Sequence, residues 1–365
     1  MKHSGYQISL YKGDQISEVV ALLGENLWEA SYERNTSYFR WKYHRNPYAT
    51  QLMGVVAIFE GRIVGFRGYF ATNWYVGNMD NKTAILVPGD TVVHSDHRRR
   101  ELSVAMGNLA MERFASRYSI LLNTTAGKNS IPGYLRMGFF PLRKKAHYRK
   151  STLARDVKVI VKDALGKRKE SGNLPIEKSN ISFGDFGDIE VSKEPRPEDM
   201  VRVLSSAQQA SARITLLQDE KFFRWRFANP KGKYVFYFSR SGDATLGYLV
   251  MRVSDDSRQG FIVDYGQTDD GQIGRILDHI VGREEFDELN ILNISVDESL
   301  WQTLKARRFE RWGLHRSLKK WVYGERPLLV RPVKQQCSEA DWFFGGLDIR
   351  HMANWHFKHI CQDDA

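Results

Sequence analysis

The sequence predicts a mixed α/β (α+β) protein built from two copies of one domain. Two observations lead to this fold class. The stretch YFRWKYHRNP, Tyr38 to Pro47, returns as FFRWRFANP, Phe222 to Pro230. The elements that follow the two stretches also agree in their order. A repeated surface loop is free to change in sequence, whereas a repeated structural unit needs the same Trp anchor and Asn-Pro turn each time.

The elements after each Asn-Pro turn justify the α/β assignment. Each copy continues with two apolar runs separated by a turn, MGVVAIFEGRIVGF in the first and YVFYFSRSGDATLGYLVMRV in the second. A strand follows (DTVVHS and FIVDYG), then a helix (102–118 and 272–281), an apolar strand (SILLNTT and LNILNIS) and a short helix that closes on Phe. Hairpins in series followed by strand, helix, strand and helix indicate a mixed α/β domain.

The length supports the same division, because 365 residues are enough for about two domains, each with a buried core. We therefore divide the chain into a first copy, a basic linker, a second copy and a C-terminal extension: 1–150, 151–179, 180–326 and 327–365. Apolar and aromatic residues make up 42% and 12% of the chain, as in globular proteins.

Targeting signals and metal motifs are not visible in the sequence. No apolar run approaches the roughly 18 residues of a membrane span, and the start MKHSGYQISLYKGDQ has no signal-peptide core. The two cysteines, Cys337 and Cys361, give no disulfide framework. The HSDH stretch, 94–97, lacks a further His or Cys pair to complete a metal site. We expect a cytoplasmic protein without a bound metal.

The positive charge is concentrated in the first copy. Residues 1–150 contain 21 Lys and Arg against 11 Asp and Glu, a net charge of +10, whereas the remaining residues contain 33 against 32. Almost all of the net charge of +11 therefore lies in one of two similar units. This imbalance indicates that the first copy binds an anion and the second does not.

The stretch VVHSDHRRRELSVAMGNLAMERF reads as a strand, a short loop and a helix. A loop that opens a helix presents free backbone N–H groups at the positive end of the helix dipole, which favours a pyrophosphate. The arginines at 98–100 would add charge-assisted hydrogen bonds. From these residues alone, a solvated basic loop is an equally good interpretation.

Two motifs in this region resemble the GNAT N-acetyltransferase superfamily. Val93 to Arg98 matches the first half of its strand-to-helix signature, and NSIPGYLRMGF, Asn129 to Phe139, matches its Tyr-x-x-x-Gly-Phe signature. The FRWKY opening is similar to GNAT proteins associated with cell-envelope polysaccharide formation. The resemblance covers 1–150 well and 180–325 faintly, and implies two tandem GNAT-like domains, each a mostly antiparallel mixed sheet flanked by helices.

The resemblance implies a donor and a set of site residues. The donor is acetyl-CoA, and the acceptor is a small amine, with an amino sugar as one candidate. The residues at the donor-binding positions are Val92, Val93, Arg98, Arg99, Arg100, Leu102, Ser103 and Asn129. Tyr134 is the implied general acid, which we expect on a solvent-facing side of its helix.

The base is less clearly indicated. Asp90 and His94 share one face of their strand, because they alternate with Thr91 and Val93. Either could accept the proton of the amine, directly or through water. The simpler interpretation of each is a polar residue at a strand end.

The sequence also departs from the family pattern. Glu101 and Ser103 stand where the family has glycines, and a carboxylate at the helix start competes with phosphate for the N–H groups. The second copy has DYGQTDDGQIGR, 264–275, with two adjacent aspartates and no matching arginine run, and Arg308 replaces its final glycine. We interpret the second copy as a fold retained without a donor site.

Two functions of different class remain open at this point. The first is an acetyl-CoA-dependent acyltransferase acting on an amine. The second is a non-catalytic, degenerate GNAT-fold protein that binds a nucleotide-bearing or polyanionic ligand. Nucleic acid is a weaker version of the second, because no recognition motif accompanies the basic charge.

Overall fold

The computed structural model describes residues 5–144, 146–151, 181–207, 211–255, 257–293, 298–311 and 327–362. The predicted linker, 151–179, lies outside them except for Ser151. Within these ranges the helices are α1 (Ile16–Asn26), α2 (Tyr32–Phe39), α3 (Leu102–Phe114), α4 (Ile131–Arg136), α5 (Pro197–Ala207), α6 (Glu220–Phe227), α7 (Gln272–Gly282) and α8 (Glu298–Ala306). None of these helices has the length and apolar character needed to span a bilayer.

The strands of the described ranges alternate with these helices. They are β1 (Tyr6–Leu10), β2 (Gly54–Phe59), β3 (Arg62–Val93), β4 (Ile120–Asn123), β5 (Phe140–Lys144), β6 (Ala146–Ser151), β7 (Gly184–Phe186), β8 (Ile189–Ser192), β9 (Ser211–Leu216), β10 (Tyr234–Ser241), β11 (Ala244–Val253), β12 (Gln259–Gln267), β13 (Glu288–Asn293), β14 (Glu310–Arg311), β15 (Pro327–Pro332), β16 (Phe343–Phe344), β17 (Leu347–Asp348) and β18 (Trp355–His356).

Most of the strands form two large sheets. The first sheet runs β1-β2-β3-β4-β15-β5, with β9 paired to β3 and β18 paired to β9. The second sheet runs β14-β6-β13-β12-β11-β10-β8-β7. Both are mostly antiparallel. Each has a parallel pair at the same place, β3 with β4 and β12 with β13, and the first sheet has a second parallel pair, β9 with β18. The predicted mixed α/β fold class is confirmed, and the two sheets are consistent with two GNAT-like domains.

The strand β3 is long because it includes a reversal. The backbone N–H of His94 donates to the carbonyl of Val64 at 2.9 Å, so the two ends of β3 run side by side. The reversal lies near Gly77, whose φ of 69° is in the left-handed region that favours glycine. The returning half of β3 is therefore the strand that pairs with β4 and leads into α3.

Strands cross the predicted domain boundaries in both directions. The strand β6, which precedes the linker, lies in the second sheet between β13 and β14. Strand β15, which follows the second copy, lies in the first sheet between β4 and β5. Each half of the chain thus supplies one strand, at the equivalent position, to the sheet of the other half. The boundaries at 150 and 327 describe the order of the sequence, but they do not separate the sheets.

The repeated tryptophans explain why the chain contains the same short stretch twice. Trp41 and Trp225 stack on each other, with ring centroids 5.1 Å apart and planes 11° apart. Each indole N–H donates to the backbone carbonyl of the other tryptophan, at 2.6 Å from Trp41 and 3.0 Å from Trp225. The two equivalent residues therefore form a reciprocal contact between the two halves, which requires the same residue in each.

The repeated Asn-Pro turns also have the same geometry. The side-chain oxygen of Asn46 accepts a hydrogen bond from the N–H of Tyr48 at 3.1 Å, and that of Asn229 accepts one from Lys231 at 3.0 Å. An Asn that bonds the backbone two residues on forms an Asx turn. The sequence motif thus encodes a turn and an anchor in both halves.

Replacing Trp41 with Phe is expected to lower the free energy of unfolding by about 0.5–1.5 kcal/mol, because the carbonyl of Trp225 keeps the amide of Ala228 at 3.2 Å but loses the indole donor. Denaturant unfolding measures this change. Trp342→Phe is the control, since the indole nitrogen of Trp342 bonds no residue of the described ranges. Equal losses for the two variants would contradict the role of the reciprocal contact.

Candidate functional site

The candidate site of the first sheet begins where two parallel strands separate. Pairing between β3 and β4 is confined to Ile85 with Ile120 and Leu86 with Leu121. Beyond that point β3 continues to Val93, and its next helix, α3, begins at Leu102. The first turn of α3 therefore opens near the end of a gap between two strands, which we call the first gap.

The apolar residues at the donor-binding positions pack into two core clusters, Val92 in one and Leu102 and Val93 in the other. Val92 and Leu102 are buried, and Val93 packs beside the cluster that contains Leu102. Side chains of this kind offer no hydrogen bonds to a ligand. Any polar contact from Val92 or Val93 would have to come from the backbone.

The basic loop before α3 is exposed and is held by its own backbone. Arg98 donates to the carbonyl of Val93 at 3.0 Å and to the side chain of Asn26 at 3.3 Å. The guanidinium of Arg100 lies 5.7 Å from the ring centroid of Tyr6. Arg99 is exposed and has a φ of 63°. The three arginines form a positive surface at the start of α3.

Glu101 adopts the conformation that a glycine would favour. It is the N-cap of α3 with a φ of 58°, and its carbonyl accepts the amides of Val104 and Ala105. Its side chain makes no capping hydrogen bond. The amides of Leu102 and Ser103 have no acceptor within the helix, as in any first turn. The expected competition of the Glu101 carboxylate for these amides is therefore not seen in this geometry.

Tyr134 is buried, contrary to the expectation that it faces solvent. It lies in the short helix α4, is 3% exposed, and meets Phe139 edge-on with centroids 4.9 Å apart. The guanidinium carbon of Arg67 lies 4.6 Å from the centroid of the Tyr134 ring. Helix α4 is too short for its sequence periodicity to identify the buried face, which explains the wrong prediction.

The Asp90 carboxylate does not have the free oxygen expected of a base. Its Oδ2 accepts hydrogen bonds from the Lys42 ammonium at 2.9 Å and from the Tyr43 hydroxyl at 2.7 Å, and its Oδ1 accepts from the indole of Trp28 at 3.0 Å. Burial and the Asp90 carboxylate raise the pKa of the Tyr43 phenol well above its usual value. This network ties β3 to the segments that follow α1 and α2, and its three donors argue against Asp90 as the base.

His94 and Asn129 remain accessible. The His94 imidazole is 37% exposed and accepts the amide of Asp96 at 3.4 Å through Nδ1. Its Nε2 bonds no residue of the described ranges. Asn129 is exposed in the turn before α4. Of the two residues proposed as base from sequence, only His94 keeps a nitrogen available.

The corresponding gap in the second sheet is filled by the chain itself. Pairing of β12 with β13 ends at Ile262 and Ile291, although β12 continues to Gln267. The helical turn His359–Cys361 packs against both strands. Next to it, the Lys358 ammonium bonds the Asp264 carboxylate at 3.0 Å and the carbonyl of Tyr265 at 2.5 Å. No sequence motif indicated that the C-terminal extension would occupy this second gap.

The loop at the second gap is also unfavourable for phosphate. Its helix, α7, has Gly271 at the N-cap with a φ of 110°, so the backbone retains the expected turn. The amide of Ile273, in the first turn, already donates to the side chain of Gln267 at 3.0 Å. Asp269 and Asp270 place two carboxylates beside the helix start. The two loops therefore have opposite charge at equivalent positions.

A cavity of about 520 Å³ lies between the end of β12 and residues of β3 and β9. Apolar side chains line much of it, and Asp219, Asp270 and His356 are among its polar residues. Burial, followed by the charges of Lys358 and Arg213, lowers the pKa of His356 to about 3. The imidazole therefore carries no charge at neutral pH, and the cavity contains two cations, Arg213 and Lys358, beside its two carboxylates.

Comparison with known proteins identifies the fold. No protein-family model and no curated protein matches the sequence. A solved GCN5-related N-acetyltransferase from Anabaena variabilis is similar, with a TM-score of 0.60 and 11% identity over 90% of this chain and 73% of that chain. A GCN5-related N-acetyltransferase from Kribbella flavida matches with a TM-score of 0.58 and 10% identity, over 90% and 71%. At such identities the likeness establishes the GNAT fold.

Proposed function

We propose that this chain, which has the GNAT fold, is an N-acyltransferase that transfers the acyl group of acetyl-CoA to an amine. The observation that carries the proposal is the difference between two equivalent gaps. At the first gap, three exposed arginines directly precede a helix start whose first amides have no acceptor within the helix. At the second gap, the chain inserts Lys358 and places two aspartates at the loop.

The donor would bind with its phosphates at the loop from Arg98 to Ser103. Arginine guanidinium groups and first-turn amides both donate charge-assisted hydrogen bonds to phosphate oxygens. The pantetheine arm would lie in the first gap, along the backbone of Val92 and Val93. Asn129, in the turn before α4, is proposed as a further polar contact. The second sheet would then support the fold without binding a donor.

The transfer requires two proton movements. The amine nitrogen attacks the thioester carbonyl and the C–S bond breaks, so the nitrogen must lose a proton and the thiolate must gain one. We assign His94 to accept the proton of the amine, directly or through a water molecule. We assign the Tyr134 hydroxyl to donate a proton to the thiolate. An amino sugar is our candidate acceptor, by resemblance to GNAT proteins of envelope polysaccharide formation.

An assay of thiol release tests the proposed function. Purified protein is incubated with acetyl-CoA and a panel of amines that includes glucosamine, spermidine and lysine, and free CoA is measured with a thiol reagent. We expect release that depends on both the protein and one class of amine. Acetyl-CoA binding without release for any amine would contradict the transferase and favour a binding protein.

Glu101 should weaken donor binding through its charge. Replacing it with Gly removes a carboxylate from the helix start, where one charge contributes about 0.3–1 kcal/mol, so we expect CoA affinity to rise about 2–5-fold. Isothermal titration calorimetry measures the change. Glu101→Gln keeps the side chain and its left-handed φ but removes the charge, and should give most of the gain. Weaker binding by both variants would show that Glu101 assists the donor.

A further inference from the structure

Among the side chains that the structure describes, Arg67 is a buried cation without a carboxylate partner. Its side chain projects from β3 beneath α3, and the residue is 2% exposed. No carboxylate bonds it among the side chains that the structure describes, and its Nε is buried without a hydrogen-bond partner. Buried charges in proteins are normally paired, because removing an ion from water is strongly unfavourable. An unpaired guanidinium in this position therefore needs an explanation.

Neutral groups fix the position of the guanidinium. Its Nη1 donates to the carbonyl of Ser103 at 2.9 Å, in the first turn of α3. Gly107, one turn later, has no side chain, and a Cβ there would clash with the sulfur of Met137 and lie 3.3 Å from the same Nη1. The Arg67 side chain therefore fits closely between β3 and α3, and a small residue on the helix permits this approach.

Two phenols face the guanidinium from the other side. The guanidinium carbon lies 4.6 Å from the ring centroid of Tyr134 and 5.7 Å from that of Tyr69. Burial alone would lower the pKa of Arg67, but the phenols of Tyr134 and Tyr69 hold it above its usual value. Burial raises the pKa of Tyr69 to about 12. Tyr69 therefore stays neutral, and the anion that Arg67 can compensate must arise elsewhere.

We infer that Arg67 is a positioning residue for the transfer, whose counter-charge is the phenolate that Tyr134 becomes when it protonates the leaving thiolate. The inference rests on the proposed function. In that step the O–H bond of Tyr134 breaks, an S–H bond forms on CoA, and the negative charge passes from sulfur to the phenol oxygen. Water later returns the proton. The guanidinium carbon of Arg67 lies 4.6 Å from the centroid of the Tyr134 ring, and a cation this close to a phenolate stabilises its negative charge.

This arrangement explains why the described residues give Arg67 no carboxylate partner in the resting protein. A carboxylate partner would already neutralise Arg67 before the reaction, and its interaction with the phenolate would be weaker. A charge that is compensated only during the reaction lowers the barrier without tightening substrate binding. The cation–π contact with Tyr134 holds the two groups together until then.

The test is a double-mutant cycle with Arg67→Met and Tyr134→Phe. Arg67→Met keeps much of the apolar stem and removes the charge, and we expect it to lower kcat about 10²-fold with little change in KM for acetyl-CoA. In the Tyr134→Phe background the same change should have almost no further effect, because no phenolate forms. Arg67→Lys keeps the charge and should restore much of the turnover. The melting temperature of Arg67→Met should not fall, because an unpaired charge is removed.

Three results would overturn the inference. Equal fold losses from Arg67→Met in both backgrounds would mean that Arg67 acts independently of Tyr134. A normal kcat for Arg67→Met, with a slow Tyr134→Phe variant, would remove Arg67 from the reaction and leave the proposed function intact. A marked fall in melting temperature would show that the residue is structural. Absence of transfer by the unmodified protein would instead defeat the proposed function, and this inference with it.

Discussion

Replacing Tyr134 with Phe is expected to lower turnover about 10²–10⁴-fold, because the variant keeps the ring but loses the proton donated to the thiolate. Acetyl-CoA affinity should change little, since the hydroxyl acts in the transition state. The ring contacts with Phe139 and Arg67 remain, so the fold should persist. Steady-state kinetics and calorimetry on the same preparation separate the two effects.

Tyr118→Phe is the matched control for this variant. Tyr118 lies in the same apolar cluster as Tyr134, is also 3% exposed, and has a buried hydroxyl without a hydrogen-bond partner. Removing that hydroxyl should leave turnover unchanged. Near-normal turnover of Tyr134→Phe would show that water, and not Tyr134, protonates the leaving thiolate.

Removing residues 327–365 is expected to abolish folding of the whole chain, and not only of its end. The deletion takes β15 from between β4 and β5, where Leu328, Leu329 and Val330 have no exposed surface. It also removes Lys358, which leaves the buried Asp264 without its ammonium partner. Two new strand edges and an unpaired buried carboxylate are each strongly destabilising. Circular dichroism should show no cooperative melting transition for residues 1–326.

Complementation distinguishes this explanation from simple loss of a tail. Co-expression of residues 327–365 as a separate chain should restore a folded complex, because the strand contributes through pairing and not through its covalent connection. A cooperative transition of the truncated chain, near the melting temperature of the full protein, would contradict the exchange of strands between the sheets.

The sequence predicted which strands and helices form better than it predicted which strands pair with each other. The repeated Trp and Asn-Pro motifs predicted two similar units, and the order of strands and helices predicted a mixed α/β fold, since these signals lie within short stretches. Pairing of β6 with the second sheet and of β15 with the first joins residues that are far apart in the chain. Such pairings leave no periodicity in a single sequence.

For the site residues too, local patterns were predictable from sequence and contacts between distant residues were not. The basic loop and its helix start were visible because charge and spacing are local properties. The hydrogen bonds that hold Asp90 were not visible, because Trp28 and Lys42 come from distant parts of the chain. The burial of Tyr134 against Arg67 likewise depends on the packing of α4 on the sheet. One residue of that contact, Arg67, had no motif to distinguish it from other arginines.

The most direct test of the central claim is CoA binding to three proteins by calorimetry: the unmodified chain, Arg98→Ala with Arg100→Ala, and Arg275→Ala. Arg98 and Arg100 lie in the loop that precedes α3. Arg275 lies in the equivalent helix of the second half and forms a 3.7 Å ion pair with Asp188. Loss of two phosphate contacts at the first gap should weaken binding by about 10-fold or more. The Arg275 variant should bind as the unmodified chain does. Equal weakening by both changes, or binding that neither affects, would contradict a donor site confined to the first half.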